Sequence, residues 1–486
     1  MITPNCKTIE ALAEDYTVIP LCKEIYADII TPITLLRKLS NHSERFYLLE
    51  SVEGGEKWGR YSFLGYDPIM RVSCKEETVI IEENGKKERI TTNDSTEIIR
   101  TILARYKSPK LDGLPPFTGG FVGYFAYAMI AHAEKKLSIK RGEFNDYDLM
   151  LFDKVIAYDH LKQKISVVVN MKTDQIMENY GKAVSDIESI IRLIQDETPL
   201  SKEKKGHNVN FKCNVSEAEY AEIVEKTKEY IKDGDIFQAV ISRRFVSDYE
   251  GSLINPYRVL RTTNPSPYMV YMNIDGEEIM STSPETLVRL QNGRLCTFPV
   301  AGSRPRGKDD AEDEVLIKDL LSDEKELSEH NMLVDLGRND LGRISKFSSV
   351  EVTKYKMIHK YSKIMHICSQ VESNIREDQD ALDAIKAVLP AGTLSGAPKI
   401  RACEIIDELE SEPRGIYGGA LGYLDFSGNL DTCIAIRMAV KKNNKVYVQA
   451  GGGIVADSQP HLEYEESGNK AKAVMLAIEH AQEVEV

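Results

Sequence analysis

The chain has 486 residues, of which 42% are hydrophobic and 28% charged, and its formal net charge is −14 at pH 7. That balance describes a folded globular protein of two or three domains, or one large one with elaborations, rather than a disordered one. The acidic excess argues against nonspecific binding to nucleic acid or to an anionic membrane surface, while leaving room for a local positive pocket.

In chain order, the N-terminus (Met1-Ile-Thr-Pro-Asn-Cys-Lys7) lacks a basic stretch leading into an apolar one, and no run approaches a membrane span. A cytoplasmic protein with no membrane partner is the expectation, and the eight scattered cysteines are expected as reduced thiols because none forms a C-x-x-C pair. Thr78–Ile81 is rich in β-branched residues and predicts a strand. Asn84-Gly85 predicts a hairpin turn, and Glu88–Thr91 the returning strand. Apolar residues at helical spacing from Ala183 to Ile194 give way to a polar stretch from Asp196 to Gly206 with no apolar face. This is the predicted boundary: an N-terminal domain at 1–195, a linker at 196–212 and a larger α+β domain at 213–486. Ser216 and Glu219 have the spacing of a capping box, the helix they start stops near Gly234, and Ile236–Phe245 reads as a buried strand.

Two carboxylate pairs carry the first hint of chemistry. Glu326 and Glu329 follow Asp323, a potential cap, so both fall on one helix face. Glu463 and Glu466 repeat the spacing after Ser458 and Pro460, with Lys470 four residues beyond Glu466. Four carboxylates from two helices suit a hard cation such as Mg2+, although either pair alone is more simply a solvated surface. Just before the second pair, Gly451-Gly452-Gly453 ends a strand-like run. Three glycines permit either a tight turn or a cradle of N–H groups facing an anion. No G-K-[ST] follows, and there is no dinucleotide fingerprint.

The segments Asp335-Leu-Gly-Arg-Asn-Asp340, Gly392-Thr-Leu-Ser-Gly-Ala-Pro-Lys399, Arg414-Gly-Ile-Tyr-Gly-Gly419 and Gln449–Lys470 resemble the chorismate-binding family, in order from about Asn214 to Ala477. Its members include anthranilate, aminodeoxychorismate, isochorismate and salicylate synthases. The resemblance implies an α+β fold of two β-sheets packed as a sandwich with helices outside. It further implies Mg2+ held directly by Glu329 and Glu466, with Glu463 acting through water or from behind. Glu326 is the implied general acid, and His366 is placed near the departing groups. Gly302, Ser303, Thr393, Tyr417, Arg437, Gly451, Gly452, Gly453 and Lys470 are the implied substrate contacts. Ala301 stands where aminodeoxychorismate synthases typically carry a nucleophilic lysine. Ammonia itself must then attack, which favours the large subunit of an anthranilate synthase over the aminodeoxychorismate alternative.

Leu48-Leu-Glu50-Ser51 and Asn264–Met269 are similar to segments that form a tryptophan feedback site. The implied contacts are Glu50 to an ammonium group, Ser51 as a hydrogen-bond donor, and Pro267, Tyr268 and Met269 as the walls of an indole slot. None of the cysteines has the setting of a glutaminase nucleophile, so the implied partner is a separate glutamine amidotransferase subunit in a hetero-oligomer. Three positions depart from the usual pattern: Arg243 where glutamine is common, Ser303 where threonine is common, and Gly468 inside the second carboxylate helix.

Overall fold

The computed structural model describes residues 2–51, 59–200, 209–361 and 364–484. Local signals in the sequence become the expected elements. Ser216 and Glu219 exchange side-chain and backbone hydrogen bonds at the start of the Glu217–Lys232 helix. Strands Thr78–Glu83 and Lys86–Thr91 join through Asn84 (φ 51°) and Gly85 (φ 74°), the left-handed pair that a two-residue hairpin requires.

Beyond the hairpins, pairing is dominated by partners distant in sequence, and among the described residues it builds two antiparallel sheets of 13 and 12 strands. The first runs from Val18–Tyr26 near one edge, through Arg45–Glu50 paired with Tyr268–Ile274, to Lys445–Ile454 and Gln238–Asp248. The second runs from Val300–Pro305 and Ile364–Asn374, through Ala420–Asp425 paired with Gly120–Phe125, to the Thr78–Thr91 hairpin. Strands from 1–195 and from 213–486 therefore lie side by side in both sheets. The expected division marks a connection along the chain, and the sheets run across it; residues 201–208 of the expected linker lie outside the described residues.

Strand alternation sorts the side chains into layers. Tyr47, Phe63 and Val270 of the first sheet meet Val122, Tyr124 and Leu421 of the second between the sheets. The outer face of the first sheet is covered by helices Pro32–Ser40, Ile176–Gln195, Ile254–Thr263 and Pro460–His480. That of the second is covered by Ser95–Leu103, Ala381–Val388 and part of Glu324–Gly342. This is the α+β sandwich with helices outside. The two carboxylate-bearing helices thus belong to different faces, the first setting Glu326 against Gly302 of the Val300–Pro305 strand and the second setting Glu463 against Gly452 of the Lys445–Ile454 strand.

Candidate active site

The first helix begins where Asp323 accepts hydrogen bonds from the backbone N–H groups of Lys325 and Glu326. The second has Pro460 in its first turn, and the Ser458 hydroxyl donates to Glu463 Oε1 at 2.7 Å. The two pairs converge. Burial raises the proton affinity of Glu329, and Glu326 and Glu466 add to the effect while Lys470 opposes it. Burial likewise raises that of Glu463; the Ser458 hydroxyl opposes the shift and Glu466 adds to it. Lys470 bridges, with Nζ 2.7 Å from Glu466 Oε1 and donating to the Gly451 carbonyl at 3.1 Å.

The triple glycine is neither a turn nor a loop cradle. Gly451, Gly452 and Gly453 stay in the strand, opposite Ser242, Ile241 and Val240. Space explains them: a Cβ on Gly452 would stand 2.9 Å from Glu463 Oε2, and one on Gly453 2.0 Å from the Gln238 amide nitrogen. Bare backbone at Gly452 is what lets the carboxylates close over the strand. On the opposite wall, a Cβ on Gly302 would meet Glu326 Oε2 at 3.2 Å and Ile367 Cδ1 at 3.1 Å.

The pocket floor holds a residue that sequence reasoning missed. Glu285, in Ser283-Pro-Glu285, accepts a hydrogen bond from Thr393 Oγ1 at 3.1 Å. Burial pushes its carboxyl up to about 8, against the hydrogen bond from Thr393 and the charges of Arg437 and Lys470. Arg437 itself occupies a left-handed conformation (φ 46°), uncommon for a large side chain, and among the described residues its guanidinium has no hydrogen-bond or ion-pair partner. His366 lies across from Ser303 in the sheet, its ring edge-on to Tyr361. Burial, helped by Arg437, lowers its pKa to about 4, so the ring is neutral. Tyr417 is buried behind Gly451 and beside Arg414. Gln238 adds a second missed feature, a buried amide oxygen with no hydrogen-bond partner among the described residues.

The expected site residues are thus assembled from both walls and the floor. As a donor set the four glutamates fit Mg2+: all oxygen, crowded by like charge, and backed by a bare strand. No three of them bring oxygens within 4.8 Å of one another among the described residues. Elsewhere, Cys74, His132 and Asp146 do cluster. There both His132 nitrogens are engaged, by Ser95 and Asp146, and Arg141 sits against the carboxylate, so a cation is disfavoured.

A separate cavity of about 340 Å3 lies between the sheets, bordered by Leu49, Glu50, Ser51, Pro267, Tyr268 and Met269. The expected segments meet here, with a correction set by strand alternation. Glu50 points to the other face, where it accepts from Tyr257 (2.7 Å) and from Arg261 (2.9 and 3.0 Å), so its charge is already satisfied. Met269, its partner in register, packs into the same outer core. The side chains that line the cavity instead include Leu421, Tyr423 and Asp431 from the second sheet, all missed in the sequence. Asp431 accepts from the Tyr268 hydroxyl at 2.8 Å.

Arg437 and Lys470 both act on the buried Glu285, and Lys470 also pairs with Glu466, a charge pattern suited to a small organic anion in a two-sheet enzyme fold. The chain belongs to the chorismate binding enzymes, whose family pattern matches residues 44–476. It is similar to anthranilate synthase component 1 of Acetivibrio thermocellus, 48% identical with 100% of each chain covered. It is likewise similar to the Aquifex aeolicus protein of that name, 46% identical over 99% of this chain and 98% of the other. Among solved structures, anthranilate synthase component I from Streptococcus pneumoniae superposes with a TM-score of 0.77. That pair is 35% identical and covers 93% of this chain and 98% of that one. No helix among the described residues is long and apolar enough to cross a membrane.

Proposed function

We propose that this chain converts chorismate and ammonia to anthranilate, pyruvate and water, as the large subunit of a two-component anthranilate synthase. The ammonia comes from glutamine on a separate amidotransferase subunit. One observation carries the reading: Glu463 and Glu466 lie over Gly452, Glu466 is close enough to act on Glu329 from the other helix, and Lys470 and Arg437 both act on the buried Glu285. Full-length likeness to anthranilate synthase components and the absence of a nucleophile at Ala301 support this choice within the family.

Chorismate presents two carboxylates at opposite ends of the reacting system. Arg437 offers paired N–H donors to the enolpyruvyl carboxylate, and Tyr417 borders the same end. Glu329 and Glu466, with Glu463 supporting, would hold Mg2+, which would supply charge neutralisation for the ring carboxylate. Ammonia adds at ring carbon 2 as the hydroxyl on carbon 4 departs. Hydroxide leaves poorly, so the hydroxyl needs a proton in the transition state. Glu285 is the better donor, since its carboxyl retains a proton at neutral pH. Burial and the charge of Asp323 also raise the proton affinity of Glu326, but it is partly accessible and Arg304, 3.6 Å away, opposes the shift. The ring proton at carbon 2 is then lost as pyruvate is eliminated, and neutral His366 offers a nitrogen to it.

The deciding experiment incubates the pure chain with chorismate, Mg2+ and an ammonium salt. Fluorescent anthranilate and pyruvate in equal amounts are expected; a para-amino product without pyruvate would assign the aminodeoxychorismate reaction instead. Glu329→Ala and Glu466→Ala should each raise the Mg2+ concentration for half-maximal turnover at least tenfold. Wild-type Mg2+ response in both variants would remove the metal from this cluster. We further propose tryptophan as the occupant of the cavity between the sheets, where Tyr61, Phe63 and Tyr423 supply aromatic walls and Ser51, Tyr268 and Asp431 the polar groups.

A further inference from the structure

Two of the departures noted in the sequence, Arg243 and Gly468, touch. A Cβ built on Gly468 would stand 2.8 Å from Arg243 Nη2, and among the described residues Arg243 supplies the only atoms within 4 Å beyond the helix's own nearby backbone. Gly468 lies well inside the Pro460–His480 helix and has no left-handed φ, so the backbone does not need glycine there. A mid-helix glycine is unfavourable against alanine. The space is what requires it.

Arg243 is 4% exposed and stands on the strand face that packs against this helix, between Ile241 in one apolar cluster and Phe245 in the next. Its guanidinium is pinned on several sides. Nε donates to Ser467 Oγ at 2.9 Å, Nη2 to the Tyr464 carbonyl, and the plane lies 3.5 Å from the centre of the Tyr464 ring. The rings of Phe245 and Tyr220 flank it at 5.1 and 5.7 Å. Among the described residues it makes no ion pair. A charge buried without a counter-ion is costly, so its retention points to a positional role.

The residues it grips, Tyr464, Ser467 and Gly468, alternate along the helix with Glu463, Glu466 and Lys470. Fixing the helix's rotation and height at the first set fixes the second over Gly452. We propose that Arg243 and Gly468 form an interlocked pair whose function is to position the Glu463–Glu466–Lys470 face over the active-site strand. Arg243 is thus a positioning residue for the metal-binding carboxylates, and Gly468 is the vacancy that admits it. The inference rests on the functional reading above for what the carboxylates bind, and on the contacts alone for the interlock.

The test is a double-mutant cycle of Arg243→Gln and Gly468→Ala. It is read by Tm without metal, by calorimetric Mg2+ affinity, and by the Mg2+ concentration for half-maximal turnover. Gly468→Ala alone should lower Tm by several degrees, because the methyl group displaces a pinned guanidinium. In the Arg243→Gln background the same change should raise Tm, since only helix propensity remains. Both single variants should weaken Mg2+ three- to tenfold, with the chorismate KM at saturating Mg2+ nearly unchanged. A Tm change of the same sign in both backgrounds would overturn the interlock. Sign reversal with unaltered Mg2+ affinity in every variant would overturn the positioning role. If wild-type turnover needs no Mg2+, the metal assignment fails separately; the positioning role then stands if kcat falls in both single variants and falls with it if kcat does not.

Discussion

A carboxyl that ionises near pH 8 is an acid under neutral conditions, and Glu285 reaches that state because enclosure outweighs Thr393, Arg437 and Lys470 together. In the unfolded chain it ionises near its ordinary value of 4.5. Between those limits the native state holds a proton that the unfolded state has released, so this group's contribution to stability declines as pH rises through that window. Glu285→Gln removes the titration. Its Tm should gain on the wild type from pH 5 to pH 8, while kcat falls roughly 10²- to 10⁴-fold through loss of the donor. Unchanged kcat at pH 7 would assign the proton elsewhere. In the wild type, kcat should decline above about pH 8 as the proton is lost. None of this was legible locally, because a glutamate after Ser-Pro between two strands has no periodic signal. Its chemistry arises only when residues 393, 437 and 470 close around it. His366 was likewise unremarkable on its strand, and the resemblance alone marked it before the structure set it beside Arg437.

At the scale of elements, the signals that proved legible are those settled within a few residues. The Ser216–Glu219 box and the Asn84-Gly85 turn need no tertiary partner to act. The glycine run at 451–453 misled for the opposite reason. Its glycines answer to Ile241 and Gln238, both far off in the sequence, and to Glu463 on the next helix, and so a strand resembled a turn. A comparable long-range tie joins three elements below the pocket. Arg414 donates to both Glu410 oxygens (2.9 and 2.6 Å) and to the carbonyls of Leu394 and Val240, while Glu410 also accepts from the Ser242 backbone N–H and hydroxyl. The pair is almost fully buried, so removing one partner strands the other charge. Arg414→Met should cost about 3–5 kcal/mol in urea denaturation, and the slack should reach Thr393 through Leu394. A loss below about 1 kcal/mol would mean that solvent reaches Glu410 freely.

The whole molecule shows which part of the fold sequence could not supply. Individual strands are visible as β-branched runs, but their neighbours are chosen by hydrophobic faces meeting across hundreds of residues, and this wove two expected domains into shared sheets. The weave has a functional consequence. The cavity between the sheets takes Leu49, Ser51 and Tyr268 from one sheet and Leu421, Tyr423 and Asp431 from the other, so an occupant acts on their relative placement. Pro267 borders that cavity and also a crevice lined by His366 and Arg437. A ligand that shifts the Asn264–Met269 segment would therefore move a wall of the crevice that His366 and Arg437 line. Tryptophan is expected to raise the chorismate Kd, and by linkage saturating chorismate must weaken tryptophan binding by the same factor, both read by calorimetry without ammonia. Ser51→Phe fills the cavity without touching the pocket. It should raise the half-inhibitory tryptophan concentration at least tenfold and leave ammonia-dependent turnover intact. Full inhibition in that variant would locate the effector elsewhere, and equal tryptophan affinity with and without chorismate would leave Pro267 a shared wall that transmits nothing.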